Sequence, residues 1–355
     1  MGHFDMRLFG DYGIHAIADG QFGSTGKGVL AAWLAARAVE QDIDFRACVS
    51  NAGPNSGHTF YHNGEKHVLK QLPTFAVAAH LLGMDMPVFL TAGAVIDPEI
   101  LWAECARYPG VQVFVNNMAS VITPEDKHSE ADPAGSIAAV AGTRSGTGMA
   151  QANKIMRHPR AVFRNIDPAR FPANLTAYTK WDPLMTVDCV YSGCTFMEIS
   201  QGFSLGINSE FYPKVTSREC TVMQGLADAR LPARALTRSY LSMRTYPIRV
   251  GNVDGHSSGD CYDDQEEISW DSIGQKPELT TVTQRERRLF TFSRKQAEEA
   301  IVANDPDFVF LNFMNYLNEN GQASLLGLFD GLKDIGGRQF QMILGNGPTS
   351  DDVVF

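Results

Sequence analysis

The segment AIADGQFGSTGKGVLAAWLA places glycines at 20, 23, 26 and 28, with one lysine, Lys27, between a short β-rich run and an apolar helical run. No other stretch constrains the fold as strongly. Glycines let main-chain N–H groups converge on an anion without a Cβ in the way. The helix that follows adds its positive dipole end, and Lys27 adds a point charge. Each charge-assisted bond to a phosphate is worth roughly 1.5–3 kcal/mol, so the loop reads as a phosphate site on a strand–loop–helix unit. It is not a Walker A loop, which has four residues between its glycines and Ser or Thr after the lysine. Here five residues separate Gly20 from Gly26, and Gly28 follows Lys27. The dinucleotide pattern GxGxxG is also out of phase. The competing reading is a tight glycine turn that serves packing alone.

The rest of the chain supports an α/β fold. The runs HAIAD, VLAAWLAARAVEQ, FRACVS, PVFLTAG, PEILWAECARY and VQVFVN alternate strand-like with helix-like patterns, which predicts a mostly parallel central sheet with flanking helices. The alternation returns in SRKQAEEAIVAND, DFVFLNFM and RQFQMILGNGP, so one sheet is expected to use both ends of a single domain, 1–355. With 44% hydrophobic and 20% charged residues, the composition excludes extensive disorder. A formal charge of −10 excludes a generally cationic surface for nucleic acid. No run approaches the roughly 18 apolar residues of a membrane span, and MGHFDMRLFG lacks a signal-peptide core. The expectation is a cytoplasmic protein. Six cysteines without a CxxC pair read as reduced thiols. The acidic stretch NVDGHSSGDCYDDQEEISWDSIGQKP reads as a mobile or solvated surface loop.

A second constellation follows a strand end: Asn55, Ser56, Gly57, His58 and Thr59 in SNAGPNSGHTFYHNGEKHVLKQLPTF. The carboxyl rim of an open α/β sheet is where sites are built, and there a histidine can act as a general acid. Taken alone, His58 is equally readable as a structural histidine.

Together GSTGKGV, AGPNSGHT and HNGEKHVL resemble the GDEGKGK loop, the GGHNAGHT segment and the NGEK hairpin of the adenylosuccinate synthetase family. The likeness continues through AGTRSGTGMAQANKIMR, EISQG, YPKVTS, RVG, TVTQRERR and GNGP, although the segments before Gln201 and before Gly345 are shorter than is usual. The resemblance implies that family's P-loop-related sheet and its reaction. A triphosphate phosphorylates a purine 6-oxygen, and the amine of aspartate then displaces phosphate. It further implies that Ser24, Lys27 and His58 are the catalytic positions. Gly23, Thr25, Gly26, Lys27, Gly28, Gly57, His58, Thr59, Asn312 and the turn Gly345, Asn346, Gly347 and Pro348 surround the triphosphate. Ser24, Asn55, Thr143, Arg157, Gln201 and Thr216 hold the nucleoside monophosphate, with Arg157 reaching in from the other subunit of a homodimer. Thr283, Arg285 and Arg287 grip aspartate, and Ser24 with Gly57 marks the Mg²⁺ position.

Two departures set the substrates. Where the family has an aspartate that takes the N1 proton, this chain has Ser24, whose hydroxyl is neutral and shorter. Room and lost charge at that edge suit a 2-amino purine. A bacteriophage branch of the family carries such a replacement and joins aspartate to dGMP. The family's Lys-x-Asp pair, which reads the guanine of GTP, is replaced by Asn312 and Met314. An adenine donor, ATP or dATP, is therefore expected. The rivals are an adenylosuccinate synthetase acting on IMP with GTP and an inactive nucleotide-binding protein.

Overall fold

The computed structural model describes residues 7–132, 140, 142–178, 190–253, 255–280, 285–333, 335 and 339–355. In chain order its strands begin with β1 (Gly13–Asp19), β2 (Phe45–Ser50), β3 (His58–His62), β4 (Glu65–Leu69), β5 (Val88–Leu90) and β6 (Val95–Ile96). They continue with β7 (Val113–Asn116), β8 (Ser120–Val121), β9 (Leu175–Tyr178), β10 (Cys194–Glu198), β11 (Leu236–Arg244) and β12 (Ile248–Arg249). The last five are β13 (Glu267–Ile268), β14 (Arg288–Phe290), β15 (Phe308–Asn312), β16 (Gln341–Gly345) and β17 (Val353–Val354).

Ten of these form one sheet in the order β17-β16-β15-β11-β1-β10-β2-β5-β7-β9. All pairings in it are parallel except β16 with β17 at one edge. β1 lies at the centre between β10 and β11, so both halves of the chain meet there, as the returning pattern predicts. Every residue of GIHAIAD is buried, which fits a parallel strand covered on both faces. Alternate side chains serve two apolar layers. Ile17 joins Leu30, Leu34, Phe45, Phe75 and Phe196 on the face covered by helices α1 (Lys27–Glu40) and α2 (Thr74–Leu81). Ile14, Ala16 and Ala18 join Met197, Leu241, Met243 and Phe329 on the other. Stacking of Phe75 on Phe196, with centroids 3.8 Å apart, helps fix α2 against the sheet. No helix among the described residues is long and apolar enough to cross a membrane.

One buried polar side chain gives the fold a pH dependence. His15 in β1 is 0% exposed between Phe9 and Phe45, and its Nε2 accepts a hydrogen bond from Gly10 N at 3.0 Å. Burial lowers its pKa to about 3. The unfolded chain therefore takes up this proton first as pH falls below about 6.5, and the folded state loses up to about 1.4 kcal/mol per pH unit from this residue. We expect His15→Gln to flatten the fall in stability between about pH 6.5 and pH 4 by that slope, measured by urea unfolding at a series of pH values. An unchanged slope would contradict the account.

The acidic stretch after Arg249 differs from its sequence expectation. It contributes β13 and the turn Trp270–Ile273, and it buries Ser258, Tyr262 and Trp270. Arg249, 2% exposed, donates to the Ser258, Asp260 and Lys214 carbonyls and lies over Phe22. These bonds go to main-chain carbonyls, so the acidic composition of the stretch alone gave no sign of the anchoring.

Candidate active site

The site is built on the carboxyl end of β1. Asp19, its last residue, is fully buried, and its carboxylate folds the glycine loop. It accepts from Gln21 N at 2.9 Å, Gly23 N at 3.2 Å and Thr25 Oγ1 at 2.6 Å. Thr25, expected beside the triphosphate, is 0% exposed, with its hydroxyl turned inward onto Asp19. Ser24, between them, is exposed and held in the left-handed region at φ 56°. Its neighbours explain the conformation: Asp19 fixes the residues on both sides.

Gly26 and Gly28 let two other segments approach. Gly26 caps α1 at φ 95°, and a Cβ there would strike the Asn312 amide from β15. At Gly28 a Cβ would lie 2.5 Å from the Thr59 carbonyl oxygen, so β3 packs directly on the first turn of α1. His58 and Thr59 are thereby set beside the glycine loop, and Asn312 on its other flank.

Lys27 is 6% exposed, and its Nζ donates to the Gln201 carbonyl at 2.9 Å. Gln201, at φ 71°, donates from Nε2 to Asn55 Oδ1 at 2.7 Å. Lys27, Gln201 and Asn55 therefore form one connected group. Burial lowers the Lys27 pKa, and the Asp19 carboxylate opposes that shift. His58 retains some exposure, yet burial and the Lys27 ammonium lower its pKa to about 3. Glu198, at the end of β10, has its pKa raised to about 7 by burial, and its carboxylate accepts from Phe75 N at 2.5 Å. The mouth of the loop thus sets the His58 imidazole, its pKa pushed down to about 3, beside the buried Lys27 amine, a pairing that suits a phosphate.

The turn expected at the triphosphate meets the glycine loop through Asn312. Asn312 is 0% exposed, with Oδ1 accepting from Phe313 N at 2.8 Å and with Nδ2 unpartnered among the described residues. Gly345 closes on the same side chain. Asn346 and Pro348 are exposed and Gly347 is buried against Asp352, which accepts from Thr349 N at 2.9 Å. Met314 is 1% exposed and packs into the core, so its position offers no acceptor to a base.

Gly57 is half-buried just before β3. Thr143 Oγ1 is 3.1 Å from Ser145 Oγ, which is 2.9 Å from Thr147 Oγ1, at the start of the helix Thr147–Ile155. Arg157 is exposed past the other end of that helix, after Ile155 and Met156, which are 73% and 71% exposed. Thr216 is half-buried, its N–H donating to the Leu205 carbonyl at 2.8 Å. Arg285 and Arg287 lie on a short hairpin closed by pairing of Leu279 with Glu286. Thr283 lies outside the described residues.

Sequence reading missed Asp19, Arg244 and Glu278. An acid ending an apolar strand in AIADG was a visible signal for Asp19. Arg244 ends LSMR in the same way. Its partner is 34 residues on, and nothing in the sequence joins them.

The family model for adenylosuccinate synthetase matches residues 16–189. An N6-succino-2-amino-2′-deoxyadenylate synthase of Vibrio phage phiVC8 is 34% identical across 96% of this chain and 97% of its own. The chain belongs to the adenylosuccinate synthetase family. Among solved structures, the Cyanophage S-2L succinoaminodeoxyadenylate synthetase bound to dGMP and dATP superimposes with a TM-score of 0.84 at 34% identity, covering 97% of this chain and 95% of the other. A fully ligated adenylosuccinate synthetase from Plasmodium falciparum shares the fold at TM-score 0.75 and 16% identity, covering 97% and 99%. The family's fold, a large and mostly parallel sheet with flanking helices, is the one described above.

Proposed function

We propose that the protein is a ligase that couples L-aspartate to C6 of dGMP, with ATP or dATP as phosphate donor, giving N6-succinyl-2-amino-2′-deoxyadenylate. The observation that carries this reading is Ser24: an exposed hydroxyl at the point of the loop where the family has a carboxylate. Both the full-length phage relatives and the dGMP- and dATP-bound neighbour support it. Against IMP and GTP stand Ser24 and the core-packed Met314.

Chemically, guanine gives up its N1 proton to solvent as its 6-oxygen attacks the γ-phosphorus and the nucleoside diphosphate leaves. The aspartate amine then adds at C6 and inorganic phosphate departs, carrying off an oxygen that would otherwise be a poor leaving group. Lys27, next to the helix N-terminus, offsets charge on the moving phosphoryl group. His58, neutral in the free site, donates its N–H to the 6-oxygen and gains proton affinity as the anionic phosphate arrives. Arg285 and Arg287 supply guanidinium forks for the aspartate carboxylates.

Mg²⁺ fits this arrangement in one way. The Asp19 carboxylate is occupied by the loop, and among the described residues no cluster of three or more His, Cys, Asp or Glu is assembled to hold a metal. By the resemblance the Ser24 hydroxyl and the Gly57 carbonyl would hold it, so most ligands would be phosphate oxygens and water, as Mg²⁺ commonly accepts. Bound there, it would neutralise phosphate charge. The exposed Ile155, Met156 and Arg157 support a homodimer in which Arg157 serves the neighbouring subunit's monophosphate site.

The test supplies aspartate, Mg²⁺ and dGMP with ATP, dATP or GTP, and follows phosphate release and the succinylated product by mass spectrometry. We expect product with the adenine donors. Faster turnover with GTP than with ATP at equal concentration would overturn the donor assignment, and no product from any donor would overturn the function.

A further inference from the structure

The hairpin that carries Arg285 and Arg287 is tied to the glycine loop by one side chain. Arg244, the last residue of β11, is 0% exposed. Its Nη2 donates to Glu278 Oε1 at 2.6 Å and its Nη1 to Glu278 Oε2 at 3.1 Å, a two-pronged pair at the foot of the hairpin. The same Nη1 donates to the Ser24 carbonyl at 3.1 Å. The guanidinium lies 4.2 Å from the centroid of the Phe313 ring, and Tyr316 Oη donates to Glu278 Oε1 at 3.4 Å. Arg244 is itself anchored by Gln21, which accepts from Arg244 N at 2.9 Å and donates to its carbonyl at 3.1 Å. Three segments thus meet on one ion pair: the glycine loop, the hairpin, and the stretch after Asn312.

A fully buried guanidinium needs a compensating anion, and a hydrophobic pair of similar volume often serves stability as well. What a hydrophobic pair lacks is direction. The fork of Arg244 fixes both the Ser24 main chain, which sits at φ 56°, and the hairpin relative to it. Within the hairpin, Arg287 N donates to the Glu278 carbonyl at 2.9 Å and Thr280 N to the Arg285 carbonyl at 2.8 Å, so a shift at Glu278 is passed to both arginines.

We propose that Arg244 and Glu278 are a positioning pair that sets the arginine hairpin in register with the Ser24 loop, so that the attacking amine is placed over C6 of the purine. The inference rests on the assignment of Arg285 and Arg287 to aspartate under the proposed function. Neither Arg244 nor Glu278 is assigned any contact with substrate. Glu278 is the milder site to change, since its side chain is 28% exposed whereas that of Arg244 is 0%.

Glu278→Gln keeps the shape and removes the charge. The expected result is a rise of roughly tenfold or more in the KM for aspartate, with the KM values for dGMP and ATP within about threefold of wild type, because a displacement near 1 Å can cost up to 10²-fold in a positioned reaction. Equal rises in all three KM values would indicate general loosening and overturn the proposal, as would an unchanged KM for aspartate. Wild-type turnover is the control: no product there counts against the proposed function and not against the pair. A second readout needs no turnover. Trypsin cleavage after Arg285 and Arg287 should be faster in Glu278→Gln than in wild type at equal thermal stability, and equal cleavage rates would contradict the pair's role.

Discussion

His58→Ala should lower kcat by about 10²–10⁴-fold while leaving dGMP binding within about threefold, the pattern of an interaction that matters at the transition state. The argument is geometric. Thr59 is pressed onto the first turn of α1 at Gly28, which holds His58 beside Lys27 at the mouth of the phosphate loop. Because burial and Lys27 lower the His58 pKa to about 3, the ring is neutral at pH 7 and enters the reaction as an N–H donor. His58 as a residue is only half-buried, so the fold should survive its truncation. Stopped-flow phosphate release and equilibrium dGMP binding would measure the two effects. A kcat within a few-fold of wild type would make His58 a structural histidine.

The second large effect concerns Ser24. Its hydroxyl is exposed on a loop that Asp19 and Arg244 hold from both sides, so a longer side chain cannot be accommodated by moving the backbone. On the proposed reading, the added carboxylate of Ser24→Asp would take the room left for the 2-amino group of guanine. We expect kcat/KM for dGMP to fall roughly 10–100-fold, the range that a misplaced group of this size produces in a fitted pocket. Left-handed backbone is tolerated by aspartate, so the loop itself should keep its shape. Steady-state kinetics with dGMP as the varied substrate checks this; unchanged values would show that residue 24 does not select the base.

Much of this was legible in the sequence because the informative residues are local. Four glycines and a lysine mark the strand–loop–helix unit within one short segment, and the alternation of strand-like and helix-like runs marks the parallel sheet around it. The sequence also marked Gln201 and Asn55, 146 residues apart, which the structure joins by a hydrogen bond. What was not legible depends on long-range burial. That Asp19 takes the Thr25 hydroxyl shows only once the strand end and the loop are folded together. The acidic stretch after Arg249 reads as solvated until Arg249 and Arg288 are found donating to its carbonyls at Ser258, Gly259 and Asp260. Arg244 is marked as a charge ending an apolar strand, but nothing local joins it to Glu278, 34 residues on, or to the Ser24 carbonyl of the glycine loop.

The central claim is that a hydroxyl in place of a carboxylate at position 24 turns this family's chemistry toward a purine bearing a 2-amino group. A competition assay tests it most directly. Equal concentrations of dGMP and IMP are given to the wild-type protein with aspartate, Mg²⁺ and ATP, and the two succinylated products are counted by mass spectrometry. The account predicts that the dGMP product dominates and that Ser24→Asp lowers its share. Preferential conversion of IMP by the wild-type protein would contradict it.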